Sequence, residues 1–304
     1  MSKSPVAARK PSIKNKNYQI LCAVLFLLPT FIVLVSFSYY PAASAIGYSF
    51  TRWDGFFDPV FVGLENYARL VKDPIFWLSL RNVLLWSVGS IVVSLIFPYL
   101  GAELVFSVKG KRLQYVYRSL LTLPMIVPAV VTIEIWSFIY NPEYGLLNTF
   151  FRGIGLEALV QNWLGNSALV IPSLIFIGFP WISGLNFLLF YAGLQNIPGD
   201  VLEYAKLDGC GGFRRVFAID LPLTVSQFKL ALILGIINTL QNVTTPLLLT
   251  GGGPGYDSYV PGLYMYYEAF TRSNFGYATA IATVMFVMIL ILTIISMRIQ
   301  RKDA

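Results

Sequence analysis

The stretch that decides the fold is residues 278–297, ATAIATVMFVMILILTIISM, which carries no charged side chain. About 20 consecutive apolar residues are what an α-helix needs to cross the ~30 Å hydrocarbon core of a bilayer. The apolar residues run continuously instead of alternating, which favours a helix over a barrel strand. Five further runs of this kind lie upstream, at about 18–40, 83–106, 120–140, 168–189 and 228–249. Composition points the same way. Of 304 residues, 56% are hydrophobic and 12% charged, and the mean hydropathy is +0.67. A soluble domain carries about 25% charged residues, so this chain lacks the polar surface to cover a globule of its size. The expected fold is all-α, a polytopic membrane protein with about six transmembrane helices.

The basic residues orient the spans. With the N-terminus in the cytoplasm, the inner segments hold Lys3, Arg9, Lys10, Lys14, Lys16, Lys109, Lys111, Arg112 and Arg118. They also hold Lys206, Arg214, Arg215, Lys229, Arg298, Arg301 and Lys302, which makes 16 of the 22 basic residues. The outer segments hold Arg52, Arg69, Lys72, Arg81, Arg152 and Arg272, together with eight of the 15 acidic residues. The positive-inside rule then puts both ends in the cytoplasm. The net charge of +7 reads as a topology signal, and no nucleic-acid partner is needed to explain it. No A-x-A cleavage pattern follows the first apolar run, so it reads as a retained span and not a signal peptide. The expected organisation is a cytoplasmic tail at 1–17, a membrane domain at 18–297 and a cytoplasmic tail at 298–304.

Absent residues exclude much chemistry. There is no histidine, which removes imidazole bases and His metal sites. The two cysteines, Cys22 and Cys210, form no C-x-x-C pair. There is no G-x-x-x-x-G-K-[ST] phosphate loop and no G-x-S-x-G elbow. The glycine run at Gly251–Gly255 is followed by no lysine and falls on the outer side. No catalytic, cofactor or metal site is expected in this chain, which leaves transport, channel, receptor or scaffold.

Polar residues inside spans are costly, and they face a cavity or another helix. Asn238, Gln241, Asn242 and Thr245 stand at i, i+3, i+4 and i+7, one face of a helix, with Pro246 next. Glu134 and Ser137 are three apart, with Trp136 and Tyr140 nearby. Ser183 and Asn186 are also three apart, beside Pro180 and Trp181. Amides and hydroxyls hydrogen-bond a neutral polyol, and flat rings stack on a sugar's apolar face. The same groups also serve as glue between helices. The candidate path residues are Asn238, Gln241, Asn242, Thr245, Glu134, Ser137, Trp136 and Asn186.

The inner loop at about 193–222 is the most patterned stretch outside the spans. Asn196 or Ile197 caps a short helix with Pro198 in its first turn. Val201, Leu202 and Ala205 give that helix an apolar face, and Gly209 ends it as a C′ glycine. A second short helix has Phe213, Val216 and Phe217 on one side, Arg214 and Arg215 on the other, and is broken by Pro222. The two arginines read as headgroup or topology charges. The result is a compact knob; an amphipathic linker lying on the membrane fits the same residues.

The pattern E-A-A-x3-G-x9-I-x-L-P marks membrane subunits of binding-protein-dependent ABC importers. Glu203, Ala205, Gly209, Ile219, Leu221 and Pro222 stand on that spacing, with Tyr204 in place of the first alanine. Leu194–Pro198, Leu207–Gly209, Leu249–Gly255, Tyr267–Phe270, Gly276–Ala278 and Val62–Tyr67 resemble the carbohydrate branch. From first span to last, the chain resembles a first-type permease of the maltose and glycerol-phosphate kind. The resemblance implies a type I ABC importer permease fold in the inner membrane of a bacterial or archaeal cell. It implies that Glu203, Tyr204, Ala205, Asp208, Gly209, Ile219, Leu221 and Pro222 couple to a separate cytoplasmic ATPase dimer, which binds ATP and magnesium. There Glu203 would be the charged contact, Ala205 the small surface that lets the helix sit deep, and Gly209 the turn. It implies a second, similar permease completing the path, so that this chain is the non-catalytic half of a heterodimer. An extracytoplasmic binding protein would deliver a carbohydrate and touch Gly251, Gly252, Gly253, Pro254, Gly255 and Tyr256. Two rivals stand beside this reading. An ion-driven secondary transporter would have only Glu103 and Glu134 for a relay, and a non-transporting scaffold would have no substrate.

Overall fold

The computed structural model describes residues 16–301. Lys3, Arg9, Lys10, Lys14 and Lys302, which carry part of the orientation argument, lie outside them. The chain opens with α1 (Tyr18–Tyr48) and turns through an antiparallel hairpin, β1 (Thr51–Arg52) and β2 (Val60–Phe61). The short α2 (Glu65–Lys72) leads into α3 (Pro74–Ser107). Then come α4 (Lys111–Thr122), prolonged by a 3₁₀ turn at Leu123–Ile126, and α5 (Ala129–Ile139). α6 (Leu146–Gly153), α7 (Val170–Phe176) and α8 (Gly184–Gln195) follow. The patterned loop forms α9 (Gly199–Leu207) and α10 (Gly212–Leu223). α11 (Val225–Leu240), α12 (Thr244–Leu249), α13 (Pro261–Phe270) and α14 (Phe275–Arg301) complete the described chain.

The fold is all-α apart from the two-residue strands. Among the described residues, α1, α3 and α14 are each long and apolar enough to cross a membrane. Counting the bent pairs α4–α5 (88°) and α10–α11 (69°) as spans gives five. The remaining apolar runs are not the continuous helices expected, and each break has a local cause. Within 120–140, Val127 is extended (ψ 126°), as the residue before Pro128 must be. Within 168–189, Gly178 (φ +83°), a cis Phe179–Pro180 bond and Trp181 (φ +57°) separate α7 from α8. Within 228–249, α11 stops at Leu240, and the Asn242 Oδ1 accepts the Thr245 amide at 3.1 Å, holding the first turn of α12. Pro246 then sits in that first turn, where its missing N–H costs nothing.

Two other prolines are absorbed by widening the helix. In α1 the Tyr40 amide donates to the Val35 carbonyl, five residues back, just before Pro41. In α10 the Leu221 amide donates to the Val216 carbonyl, just before Pro222. A proline ring in an ordinary α-helix clashes with the carbonyl four residues earlier; one π turn moves that carbonyl away. Pro222 therefore does not break its helix, although the sequence reading expected it to. The chain bends at Thr224, whose hydroxyl donates to the Asp220 carbonyl at 2.7 Å.

Two apolar cores lie along α3. One joins Val83 and Trp86 to Leu240, Leu263 and Ile281. The other joins Tyr99, Ala102 and Val105 to Phe187, Phe190, Leu194 and Ala231. Between them α3 presents Ser90, Val93 and Ser94 to a cavity.

Candidate functional site: the cavity and the loop knob

The three breaks meet at that cavity, which has a volume of about 500 Å³. Pro124 and Met125 come from the α4–α5 bend, Ile177, Gly178 and Trp181–Leu185 from the α7–α8 break, and Asn238, Thr239, Asn242 and Thr245 from the α11–α12 break. Irregular backbone is tolerated at membrane depth only where protein or a water-filled cavity satisfies it. Here the breaks and the cavity coincide. Its polar lining is Ser90, Ser94, Thr132, Ser183, Asn238, Thr239, Asn242 and Thr245. Among the described residues lining it, none is ionisable. Trp86 and Trp181 supply aromatic surface. The Trp181 indole is locked by donating to the Ile175 carbonyl at 2.9 Å and by packing 4.6 Å from the Phe97 ring centre.

The sequence-derived path residues divide between several surroundings. Asn238, Asn242 and Thr245 line the cavity. Gln241 does not share their face, because the helix has ended there; it lines an apolar groove with Ile281 and Met285, between α11 and α14. Asn186 donates to the Ser94 carbonyl at 3.0 Å, tying α8 to α3. Trp136 is buried against Tyr140 and Phe176. Glu134 is exposed on α5, Ser137 is half-buried, and neither lines the cavity.

The knob is built by its glycine. Gly209 takes φ +68°. Its amide bonds the Lys206 carbonyl and the Cys210 amide bonds the Ala205 carbonyl, at 3.2 and 2.8 Å. This reciprocal pair is a Schellman C-cap. Glu203, Tyr204 and Leu207 are exposed on α9, Asp208 at its C-cap, and Phe213 and Phe217 on α10. Ala205 is buried within this chain, 5% exposed, so its smallness serves the chain's own packing and not a surface partner. Ile219 is half-buried, Leu221 packs on the second core, and Pro222 is exposed.

The sequence reading missed an ion cluster beneath the knob. Arg215 Nε donates to Asp220 Oδ2 at 2.7 Å, and its NH2 lies 3.6 Å from Glu103 Oε2. Glu103 also accepts the Tyr99 hydroxyl at 2.8 Å. Asp220 is fully buried and Glu103 nearly so. Arg215 is thus an interior partner, where the sequence expectation made it a headgroup charge. An α-helix brings together residues three or four apart. Arg215 and Asp220 are five apart, and the π turn puts them in phase.

At the opposite end, Gly251, Gly255 and Tyr256 are exposed, while Gly253 and Pro254 are half-buried. Gly252 is buried, and a Cβ there would come within 2.2 Å of the Tyr259 ring. The loop is held from α3, where the Asn82 amide donates to the Tyr256 and Tyr259 carbonyls at 2.9 and 3.1 Å.

Comparison with known proteins agrees with this architecture. Residues 94–302 match the family described as binding-protein-dependent transport system inner membrane component. A probable ABC transporter permease of Bacillus subtilis is 34% identical, over 93% of this chain and 97% of its own. The diacetylchitobiose uptake system permease of Streptomyces coelicolor is 32% identical over 88% of this chain and 79% of its own. The sn-glycerol-3-phosphate transport system permease of Escherichia coli is 31% identical over 90% and 92%. A chain in the crystal structure of a bacterial alginate ABC transporter, in complex with a periplasmic protein carrying an alginate pentasaccharide, superposes with TM-score 0.82. It shares 21% identity, over 95% of this chain and 96% of that one.

Proposed function

Because this chain belongs to the family of binding-protein-dependent transport system inner membrane components, we propose that it is the permease subunit of an ABC importer for an uncharged sugar or oligosaccharide. One observation carries the reading: three broken helices converge on a cavity lined by amides, hydroxyls and indole rings. Such a lining offers hydrogen bonds to hydroxyls and stacking to a pyranose, and offers no counter-charge to an anion. Relatives are named for diacetylchitobiose and for glycerol phosphate; the uncharged lining favours cargo of the first kind.

The chain supplies half of the path and a similar permease the other half. The exposed side chains of the knob, Glu203, Tyr204, Leu207 and Asp208 among them, dock on a cytoplasmic ATPase dimer, where ATP and magnesium are bound. Gly251, Gly255 and Tyr256 face the extracytoplasmic binding protein, and both termini of the 18–297 membrane domain lie in the cytoplasm. Reconstitution tests the reading. The assembled transporter in liposomes should take up N,N′-diacetylchitobiose or another neutral oligosaccharide only with ATP and the binding protein. Uptake driven by an ion gradient without ATP would overturn it.

A further inference from the structure

The Arg215 cluster has no place in the path or on the exposed knob. One guanidinium serves two carboxylates, Asp220 at 2.7 Å and Glu103 at 3.6 Å, and also donates to Ser107 Oγ at 3.3 Å. Glu103 Oε2 and Asp220 Oδ1 are buried without a hydrogen bond. Buried ion pairs rarely out-stabilise apolar packing, because desolvation offsets the attraction. In some proteins they instead set direction and register, which apolar contact, being non-directional, does not. Glu103 belongs to α3, whereas Arg215 and Asp220 belong to α10.

The helix that carries Glu103 also carries the cavity wall. Ser94 lies nine residues earlier on α3, about 13 Å along the axis. It lines the cavity, and its carbonyl holds Asn186. Beside the cluster, a space of about 410 Å³ separates Leu100 and Leu104 of α3 from Phe213 and Phe217 of α10. α10 packs on the second core through Val216 and Leu221, but on the side of Leu100, Leu104, Phe213 and Phe217 the two helices are loosely apposed, with the ions beside the gap.

We propose that Arg215 is a positioning residue that, with Glu103 and Asp220, locks the knob to α3, so that knob displacement is delivered to the cavity wall. The proposal rests on the reading of the chain as an ATP-coupled permease. The lock transmits along one rigid helix: the knob moves α10, Arg215 carries the movement to Glu103, and α3 carries it to Ser90 and Ser94.

The test uses the assembled transporter with Cys22→Ser and Cys210→Ala and a spin-label pair at S90C and L185C, across the cavity. The probe is ATP trapped with vanadate. The parent complex should hydrolyse ATP and show a shift in the label distance on trapping. Arg215→Met should still hydrolyse ATP but lose the shift. Arg215→Lys, which keeps the charge but not the two-pronged geometry, should show a reduced shift. A parent-sized shift in Arg215→Met overturns the proposal. So does joint loss of hydrolysis and shift in both Arg215→Lys and Glu103→Gln, which would mark Arg215 as merely structural. A parent complex that neither hydrolyses ATP nor shifts overturns the functional reading itself, and the lock with it.

Discussion

The Asp73 carboxylate accepts the Tyr277 hydroxyl at 2.6 Å, across 204 positions of sequence. The same oxygen accepts the Tyr264 hydroxyl at 2.5 Å, while the other caps α3 at the Ile75 and Phe76 amides. One side chain thus starts α3 and ties it to α13 and α14. Burial pushes the Asp73 carboxyl up, but the hydrogen bonds from Tyr264, Tyr277, Ile75 and Phe76 outweigh it and hold the group below its ordinary value. Burial, with Asp73 beside it, pushes the Tyr264 hydroxyl up, so it stays a donor.

Removing that carboxylate should loosen this end of the bundle. Asp73→Ala loses a helix cap and two hydroxyl acceptors, a cost of about 1–3 kcal/mol. The pH dependence follows from the depressed pKa. The contribution is fully present above the unfolded value of about 3.9 and is lost as pH falls through the lower folded value. Thermal unfolding in detergent, followed from neutral to strongly acid pH, should show that loss in the wild type and not in Asp73→Ala. Identical profiles would remove Asp73 from the account.

Asn242 and Gln241 are adjacent, yet their substitutions should differ. Asn242→Ala removes a cavity amide and the acceptor for the Thr245 amide in the first turn of α12, so uptake should fall sharply. Gln241→Ala alters only the groove toward α14 and should leave uptake near wild type. Equal losses in both would mean that the cavity is not the path.

Gly209 needs its left-handed backbone more than its small size. Nothing lies within 4 Å of a Cβ placed there, but its φ is +68°. Gly209→Val should cost about 1–2 kcal/mol locally and distort the knob, and in the proposed complex it should abolish stimulation of the ATPase. Gly209→Asn, which tolerates that backbone, should retain most of it. A valine variant with normal ATPase coupling would show that the turn is dispensable.

Gly252 is constrained by space as well as by its backbone. Its φ is +93° and the Tyr259 ring occupies the place of a Cβ. Gly252→Ala should cost about 1–3 kcal/mol through overpacking and make the 250–260 loop more sensitive to protease. Gly255→Ala, with nothing within 4 Å of its Cβ, should perturb the loop less, through its φ of +55° alone. Equal protease sensitivity in the two would count against the packing argument.

The sequence was readable where physics is local. The charge-free run at 278–297 gave α14, and Gly209 gave the turn of the knob in its observed place. It was unreadable where tertiary context decides. A run such as 168–189 has the composition of a span, and hydropathy does not register that Gly178, Pro180 and Trp181 divide it. Helical periodicity grouped Gln241 with Asn238 and Asn242, because the grouping assumed a helix that in fact ends at Leu240. Asp220 escaped notice because a five-residue spacing pairs nothing in an α-helix, and only the widened turn before Pro222 gives that spacing a meaning.

The first helix has one more consequence. Among the described residues, every side chain from 18 to 40 is exposed, and only the last turns of α1, at 40–48, pack on α14. The rest of that helix is therefore held by one end alone. The order of its apolar letters could be shuffled, with the prolines left in place, and both cores would be unchanged. What the segment contributes to this subunit is length and greasiness, so any information encoded in its particular order is addressed to something outside this polypeptide.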